Sequence, residues 1–543
     1  SGGIKMGSSE IEIVSDSTKN SHDFSTDPDQ VSITDVFSAS AYGDFDMLRK
    51  FVEEDGASLS NPDVHGYYAL QWASLNNFPR IVQYIIELGG DVNATDSMEQ
   101  TALHWAAVRG SVAVADVLLQ NGARLEAVDA NGYRAAHFAA LYGQTAFLNH
   151  IVAKHLADFD APDNNGRAPL HWAAYKGFAD TIRLLLFRDA SQGRQDIEGY
   201  TPLHWAVLSG NLEACVVLVH ASTKQELLMK DKAGFTPSQL AYDKGHQRIA
   251  SFLSNAQRGL GKKWVGKVCC EKMRDIGYAP LLFCIIITFI ILFINSVLAA
   301  PNLPKVTAAV GLWGCTAVAV VTGSLIMFYR CSSKDPGFLK RSSCYDKSDR
   351  EDPLLNIELN NSPVWMGNWS QLCPTCKIIR PIRSKHCPVC KHCVDQFDHH
   401  CPWISNCVGK RNKWDFFIFI CLGALASFIS TIVAVHRIWT VVPASPASWI
   451  YHVASGYPGI TVFIGGDIVM LISIVILTAT QTIQIAQNIT TNEAANSARY
   501  GYLHGPGGGF SNPFNHGIRK NCAEFLIQGH TNDSEVELLS PHP

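Results

Sequence analysis

The sequence predicts a mainly all-α chain in three parts: a helical-repeat solenoid, a four-helix transmembrane bundle, and a small cysteine-rich domain inserted within that bundle. Three observations carry this reading. The first half repeats itself about every 33 residues. The second half holds four apolar runs, each approaching the roughly 20 residues that cross a bilayer. Seven of the 16 cysteines crowd between Leu372 and Val408. At 543 residues, with 47% hydrophobic and 17% charged residues, the chain exceeds one ordinary domain and is too apolar to be disordered as a whole. A net charge of -4 offers no basic excess for phosphate backbones, so nucleic acid is excluded as a main partner.

Residues 1–30, rich in Ser, Asp and Thr and without an apolar h-region, read as a disordered tail. Beyond them Leu103-His104-Trp105-Ala106-Ala107, Leu170-His171-Trp172-Ala173-Ala174 and Leu203-His204-Trp205-Ala206 align, with Gln71, His137 and Gln239 in the histidine's place. Those positions are spaced by 33, 33, 34, 33 and 35 residues, and Gly132, Gly166 and Gly199 recur upstream at a turn. Val36 to Gly43 forms a degenerate first copy. The array, residues 31–255, resembles ankyrin repeats, about seven of them. Each is expected to be a turn and two antiparallel helices, with Ala and Leu buried between neighbours. A histidine that recurs once per repeat cannot gather into one coordination shell, so its imidazole is read as fixing each turn by hydrogen bonds. The concave face of such a solenoid suits protein partners.

A basic linker, residues 256–277, carries Arg258, Lys262, Lys263, Lys267, Lys272 and Arg274 up to the first apolar run, 278–300. The others are 306–329, 416–436 and 460–484. The exit loop Pro301 to Lys305 holds one lysine and the loop Trp439 to Gly459 has neither Lys nor Arg, whereas 330–415 is rich in both. The positive-inside rule then places both termini, the segment 330–415 and the tail 485–543 in the cytosol. Thiols stay reduced there, so clustered cysteines are metal ligands or nucleophiles. Cys269 and Cys270, at the border of the first run, are either acylation sites or small interfacial residues.

Cys373-x2-Cys376 and Cys387-x2-Cys390 are knuckle pairs that can each offer two thiolates to a tetrahedral zinc. Two such ions need eight ligands. Cys393, Cys401, Cys407, His386, His392, His399 and His400 supply more than the remainder, and counting alone does not say which thiol is spare.

Asp398-His399-His400-Cys401, set among these pairs and followed by Cys407 in the cysteine-rich region at about 371–415, resembles the DHHC domain of protein S-acyltransferases. The likeness extends to Asp335-Pro336-Gly337, to Thr490-Thr491-Asn492-Glu493, and to Asn512-Pro513-Phe514 through Asn521 and Phe525. With the array in front, the chain is similar to the ankyrin-bearing branch of that family. The resemblance implies two structural Zn2+ ions, one held by Cys373, Cys376, His386 and Cys393 and the other by Cys387, Cys390, His400 and Cys407. Cys401 is then left over. It further implies a palmitoyltransferase, residence in the Golgi or another endomembrane with the plasma membrane as the alternative, and supporting roles for Thr491 beside Asp398 and Asn521 in a buried turn.

Moving an acyl group between thioesters requires a thiolate, and a free cysteine with a pKa near 8.5 is mostly inert at neutral pH. A neighbouring imidazole can take its proton and a carboxylate can orient that imidazole. The expected roles are therefore Cys401 as nucleophile, His399 as base, Asp398 as orienter and His400 as the ligand that pins their loop. Acyl-coenzyme A (palmitoyl-coenzyme A) is the expected co-substrate, with Arg383 and Lys385 near its phosphates. The bundle would hold the acyl chain, and cytosolic cysteines of proteins gathered by the array would receive it. The alternative function is a non-enzymatic, membrane-anchored scaffold of ankyrin repeats and zinc. A soluble-type hydrolase is the poorest reading, because the chain lacks a GxSxG nucleophile elbow in a strand-turn-helix context.

Overall fold

Among the described residues, seven helix pairs fill the first half of the chain. They are α1 (Val36–Tyr42) with α2 (Phe45–Glu53), α3 (Ala69–Leu75) with α4 (Pro79–Glu87), α5 (Ala102–Arg109) with α6 (Val112–Gln120), and α7 (Ala135–Leu141) with α8 (Thr145–His155). There follow α9 (Pro169–Lys176) with α10 (Ala179–Phe187) and α11 (Pro202–Leu208) with α12 (Leu212–Ala221). After the single turn α13 (Lys224–Leu227) come α14 (Pro237–Asp243) and α15 (Gln247–Gly261). In this computed structural model the described residues are 33–261, 277–300, 306–340, 354, 369–439, 454–505 and 507–530. The tail 1–30, Cys269, Cys270 and most of the basic linker lie outside them.

The first helices pack side by side through buried alanines such as Ala73, Ala106, Ala139, Ala173 and Ala206. The recurring histidine does more than fix its own turn. In the third repeat Thr101 N donates to His104 Nδ1 at 3.0 Å while His104 Nε2 lies 3.1 Å from Tyr133 O of the next repeat. His137 reaches Arg167 O, His171 reaches Arg194 O and His204 reaches Phe235 O in the same way. Gln71 reproduces the staple, its Oε1 accepting from Tyr68 N at 2.9 Å and its Nε2 donating to Gln100 O at 2.7 Å. An amide with one acceptor and one donor does the work of one imidazole tautomer. Burial pulls His104, His137 and His171 down to about 4, so they act as neutral rings.

Among the described residues, the second half holds four long apolar helices: α16 (Ala279–Phe293), which runs on through a π-helical turn Ile294–Leu298, α17 (Ala308–Ser333), α18 (Lys413–Trp439) and α19 (Pro458–Ala486). All four are long and apolar enough to span a bilayer. At 1.5 Å per residue the 27 residues of α18 reach about 40 Å, beyond a hydrocarbon core of about 30 Å, so helix ends project from the membrane. Inside the bundle Asp467 of α19 accepts from Ser427, Ser430 and Thr431 of α18 at 2.7, 2.8 and 2.8 Å, locking those helices together.

Between α17 and α18 the described residues form three two-stranded antiparallel ribbons: β1 (Leu372–Cys373) with β2 (Ile378–Ile379), β3 (Lys385–Cys387) with β4 (His392–Val394), and β5 (His399–Cys401) with β6 (Asn406–Val408). After α19 come α20 (Thr491–Ala495) and α21 (Ile518–Gln528). The first ribbon docks on the array. Lys377 Nζ donates to Leu186 O at 2.6 Å and Phe187 O at 3.2 Å, and pairs with Asp189 at 2.6 Å, so a lysine of one domain caps the C-terminus of α10 in another. Leu372 is buried in the same apolar cluster as the array core.

Candidate metal centres and active site

Each knuckle ends on a residue with left-handed backbone, Lys377 at φ 55° and Lys391 at φ 57°. These tight turns bring Cys376 N to 3.3 Å from Cys373 Sγ and Cys390 N to 3.4 Å from Cys387 Sγ, so backbone donors stabilise the thiolates. In the first group Cys373, Cys376 and Cys393 place sulfur 3.6, 3.3 and 3.8 Å from His386 Nδ1. In the second, Cys390 and Cys407 both stand 3.5 Å from His400 Nδ1, with Cys387 completing the set. A sulfur and a nitrogen on one tetrahedral zinc are roughly 3.6 Å apart by simple geometry. The two groups therefore have the donor types, number and edge lengths to hold zinc, each with four protein ligands. The pairing follows from the ribbons: register sets His386 opposite Cys393 and His400 opposite Cys407.

A third grouping, Asp116, His150 and His155 on the array, differs in kind. Its contacts to Asp116 Oδ1 are ordinary hydrogen bonds of 2.8 Å from His150 and 3.3 Å from His155, and Lys154 Nζ holds the same oxygen at 2.8 Å. The ammonium occupies the place of a metal. Although burial works against ionisation, these partners draw the Asp116 carboxyl down to about 2.

Cys401 belongs to neither group. It is 8% exposed, at the end of β5, and shares one apolar cluster with Phe328, Ile404, Phe416 and Ile420. His399, two positions before Cys401 on the same strand, presents Nδ1 to Asp398 Oδ2 at 2.7 Å. Asp398 is fully buried, yet its carboxylate is saturated: Lys413 Nζ at 2.8 Å and Thr491 N at 3.0 Å reach Oδ1, and Thr491 Oγ1 reaches Oδ2 at 2.7 Å. Burial would raise this acid, but Lys413 and His399 hold it far below the usual carboxylate range. Burial would lower His399, and its bond to Asp398 with the nearby Cys401 lifts it instead to about 9. Burial would raise the Cys401 thiol, and the His399 partner with the backbone at Ile404 and Trp403 brings it below its ordinary value. Such a site can hold a thiolate beside an imidazolium.

The DHHC palmitoyltransferase model matches residues 368–498, and ankyrin-repeat models match 36–129, 124–196 and 198–231. A probable protein S-acyltransferase 23 of Arabidopsis thaliana is 56% identical over 98% of this chain and 99% of its own length. The chain belongs to the DHHC palmitoyltransferases. A palmitoyltransferase ZDHHC9 of Danio rerio is 34% identical to it over 39% of this chain and 56% of that protein. Among solved structures, the ankyrin repeat domain of Bcl-3, described as a unique member of the IκB family, aligns at 25% identity with a TM-score of 0.35, over 41% of this chain and 98% of that one.

In this DHHC palmitoyltransferase the two basic residues assigned to coenzyme A phosphates are engaged elsewhere, which corrects that assignment for Arg383. Arg383 is 6% exposed and forks onto Glu493 at 2.9 and 3.0 Å, with Asn488 at 3.0 Å and the Phe514 ring at 4.4 Å. A guanidinium so enclosed ties the cysteine-rich domain to the segment after α19 and cannot meet a solvent phosphate. Lys385 Nζ donates to Asn492 Oδ1 at 2.7 Å in the same seam and is half-buried. Asn521 donates from Nδ2 to Ala486 O at 2.8 Å, closing the end of α19, and accepts from His516 N at 3.1 Å. His392 bonds the Cys390 carbonyl at 2.7 Å and lies outside both ligand sets.

Sequence reasoning missed several residues. Lys413, which holds Asp398, opens an apolar run, where a lysine reads as a topology signal. Gln481 and Gln484 of α19 bond Thr491 Oγ1 at 3.1 and 3.0 Å. Asn406 donates to three carbonyls at the end of α17, those of Cys331, Ser332 and Lys334. A membrane helix that carries two glutamines within one turn near its end was the available signal for that pair.

Proposed function

We propose that this chain moves a palmitoyl or similar long-chain acyl group from acyl-coenzyme A to cysteines of protein substrates through an acyl-Cys401 intermediate. The observation that carries the reading is a thiol outside both four-ligand groups, two positions along one strand from an Asp398-bound His399 and packed among apolar side chains of the bundle. The Cys401 thiolate attacks the thioester carbonyl. A new C–S bond forms, the bond to coenzyme A breaks, and the departing thiolate takes the proton held by His399. In the second half a substrate cysteine gives its proton to His399 and attacks the Cys401 thioester, which returns the Cys401 thiolate. Both steps exchange one thioester for another, so no nucleotide is consumed.

Zinc bound at the two cysteine-histidine groups would supply rigidity, because four protein ligands leave no open position for substrate. His400 would then anchor β5 from the side opposite His399 and hold the reacting strand. Lys413 and Thr491 keep Asp398 ionised and aimed. We assign recruitment of protein substrates to the ankyrin array, both termini to the cytosol, and residence to an endomembrane such as the Golgi.

The test is incubation of detergent-purified protein and Cys401→Ser with labelled palmitoyl-coenzyme A, followed by hydroxylamine treatment and zinc analysis. Wild type should gain a hydroxylamine-labile label that the variant lacks, with two zinc ions per chain in both. Absence of label in both, or loss of zinc in the variant, would favour the scaffold reading.

A further inference from the structure

A cavity of about 480 Å³ opens where α17 ends and α18 begins. Arg330 enters it from α17 and Lys334 from the residue after that helix, Lys410 and Arg411 from the turn before α18, Trp414 from the first turn of α18, and His530 from beyond α21. None of these groups takes part in the acyl chemistry. Because α17 and α18 are membrane-length helices, their adjoining ends fix the depth of the cavity at the lipid headgroups, on the side of the membrane that carries the cysteine-rich domain. Tryptophan is a residue type that settles at that depth.

Four cations in the wall face two carboxylates, Asp395 and Asp415. Asp415 is fully buried and receives Arg330 Nε at 3.0 Å and Lys334 Nζ at 2.7 Å, while those cationic side chains stay 55% and 43% exposed. A buried anion thus sets the direction of two cations without covering them. Arg411 pairs with Asp335 at 2.9 Å and is 63% exposed, and Lys410 pairs with Asp395 at 3.3 Å. The guanidinium of Arg330 bonds Asp415 through Nε, and a guanidinium offers further donors of the kind that suits phosphate oxygens.

The depth of the cavity, at the ends of two membrane-length helices and beside Trp414, favours a lipid over a soluble cofactor. Phe416, which meets the His399 ring at 5.5 Å, lies two positions beyond Trp414. At 100° per residue that is about 200° around α18, so the Trp414 and Phe416 side chains leave the helix on opposite faces.

We propose that this cavity binds the phosphate of an anionic lipid headgroup, a phosphomonoester on an inositol lipid being the best match to several converging cations. The proposal is independent of the transfer chemistry. The shared chemistry of any occupant is a phosphate at the membrane surface, and free coenzyme A is the competing source.

The full chain, zinc-loaded, would be reconstituted in phosphatidylcholine nanodiscs containing a minor fraction of photoactivatable phosphatidylinositol 4-phosphate, and crosslinked lipid measured per chain. Lys410→Gln with Arg411→Gln should lower crosslinking roughly tenfold or more, since each juxtamembrane cation contributes comparably to anionic-lipid binding. Arg330 and Lys334 are left intact because they neutralise buried Asp415. The charge-preserving pair Lys410→Arg with Arg411→Lys should keep most of the crosslinking, and zinc content and melting temperature should match wild type in both. A phosphatidylcholine probe should label weakly throughout. Displacement of the inositol lipid by excess free coenzyme A would overturn the lipid assignment and give the cavity to a soluble phosphate. Equal crosslinking in wild type and the Gln pair would overturn phosphate binding there altogether.

Discussion

His104 in the array and His399 in the cysteine-rich domain are both imidazoles drawn into the protein interior, the first bonded through both ring nitrogens and the second through Nδ1 to Asp398. The first is pulled down to about 4 and the second lifted to about 9. Burial opposes charge in each, so the partners decide. His104 meets a backbone N–H and backbone carbonyls, and the neutral ring satisfies them. His399 meets a carboxylate that is itself held ionised by Lys413, and a thiol that can surrender its proton. One residue type is a spacer-locked bracket in the repeats and a proton carrier beside Cys401.

Breaking the second environment should have the largest effect. Asp398→Asn keeps the shape but removes the charge that raises His399, and acyl labelling of Cys401 should fall about 10²-fold or more with both zinc ions retained. Single-turnover labelling with zinc analysis measures it.

The pH response should separate the two regions. His104, His137 and His171 have folded values near 4 against about 6.5 unfolded, so the stability tied to their neutral form is intact above pH about 6.5 and declines as pH falls toward 4. The loss approaches on the order of 3 kcal/mol for each ring at the acid end. His399 has the opposite sign: its contribution is full below about 6.5 and is lost as pH rises through about 9. Amide exchange in α5 to α10, corrected for intrinsic rates, should accelerate between pH 7 and 5 and stay unchanged between 7 and 9.

His171→Ala should cost the array about 2 kcal/mol by leaving Ala168 N and Arg194 O unpaired in the interior, whereas His171→Gln should cost less than about 1 kcal/mol, since Gln71 already fills that place in another repeat. Chemical denaturation of the two variants decides this. The smallest effect is expected from Thr491→Val, which removes one of several donors to Asp398 and should slow labelling about tenfold.

The array was legible because each repeat makes its contacts with neighbours about 33 residues away, and periodicity in sequence becomes periodicity in space. The ligand pairing rested on resemblance until the ribbon register set His386 against Cys393 and His400 against Cys407. Arg383 was misjudged because a basic residue among zinc ligands has no mark in sequence for facing inward; its carboxylate, Glu493, is 110 residues away. The dock of Lys377 on α10 spans 191 residues and was invisible for the same reason. Local pattern gave the elements and their chemistry, while the buried ion pairs that join elements depend on approaches no local pattern encodes.

Direct observation of the Cys401 thiolate tests the central claim. Alkylation of Cys401 by iodoacetamide, followed site by site by mass spectrometry in the zinc-loaded chain, would be measured against pH in wild type and His399→Ala. The account predicts a wild-type midpoint below the ordinary thiol value of about 8.5 and a clear upward move in the variant. Coincident midpoints in the two proteins, with zinc intact, would contradict it.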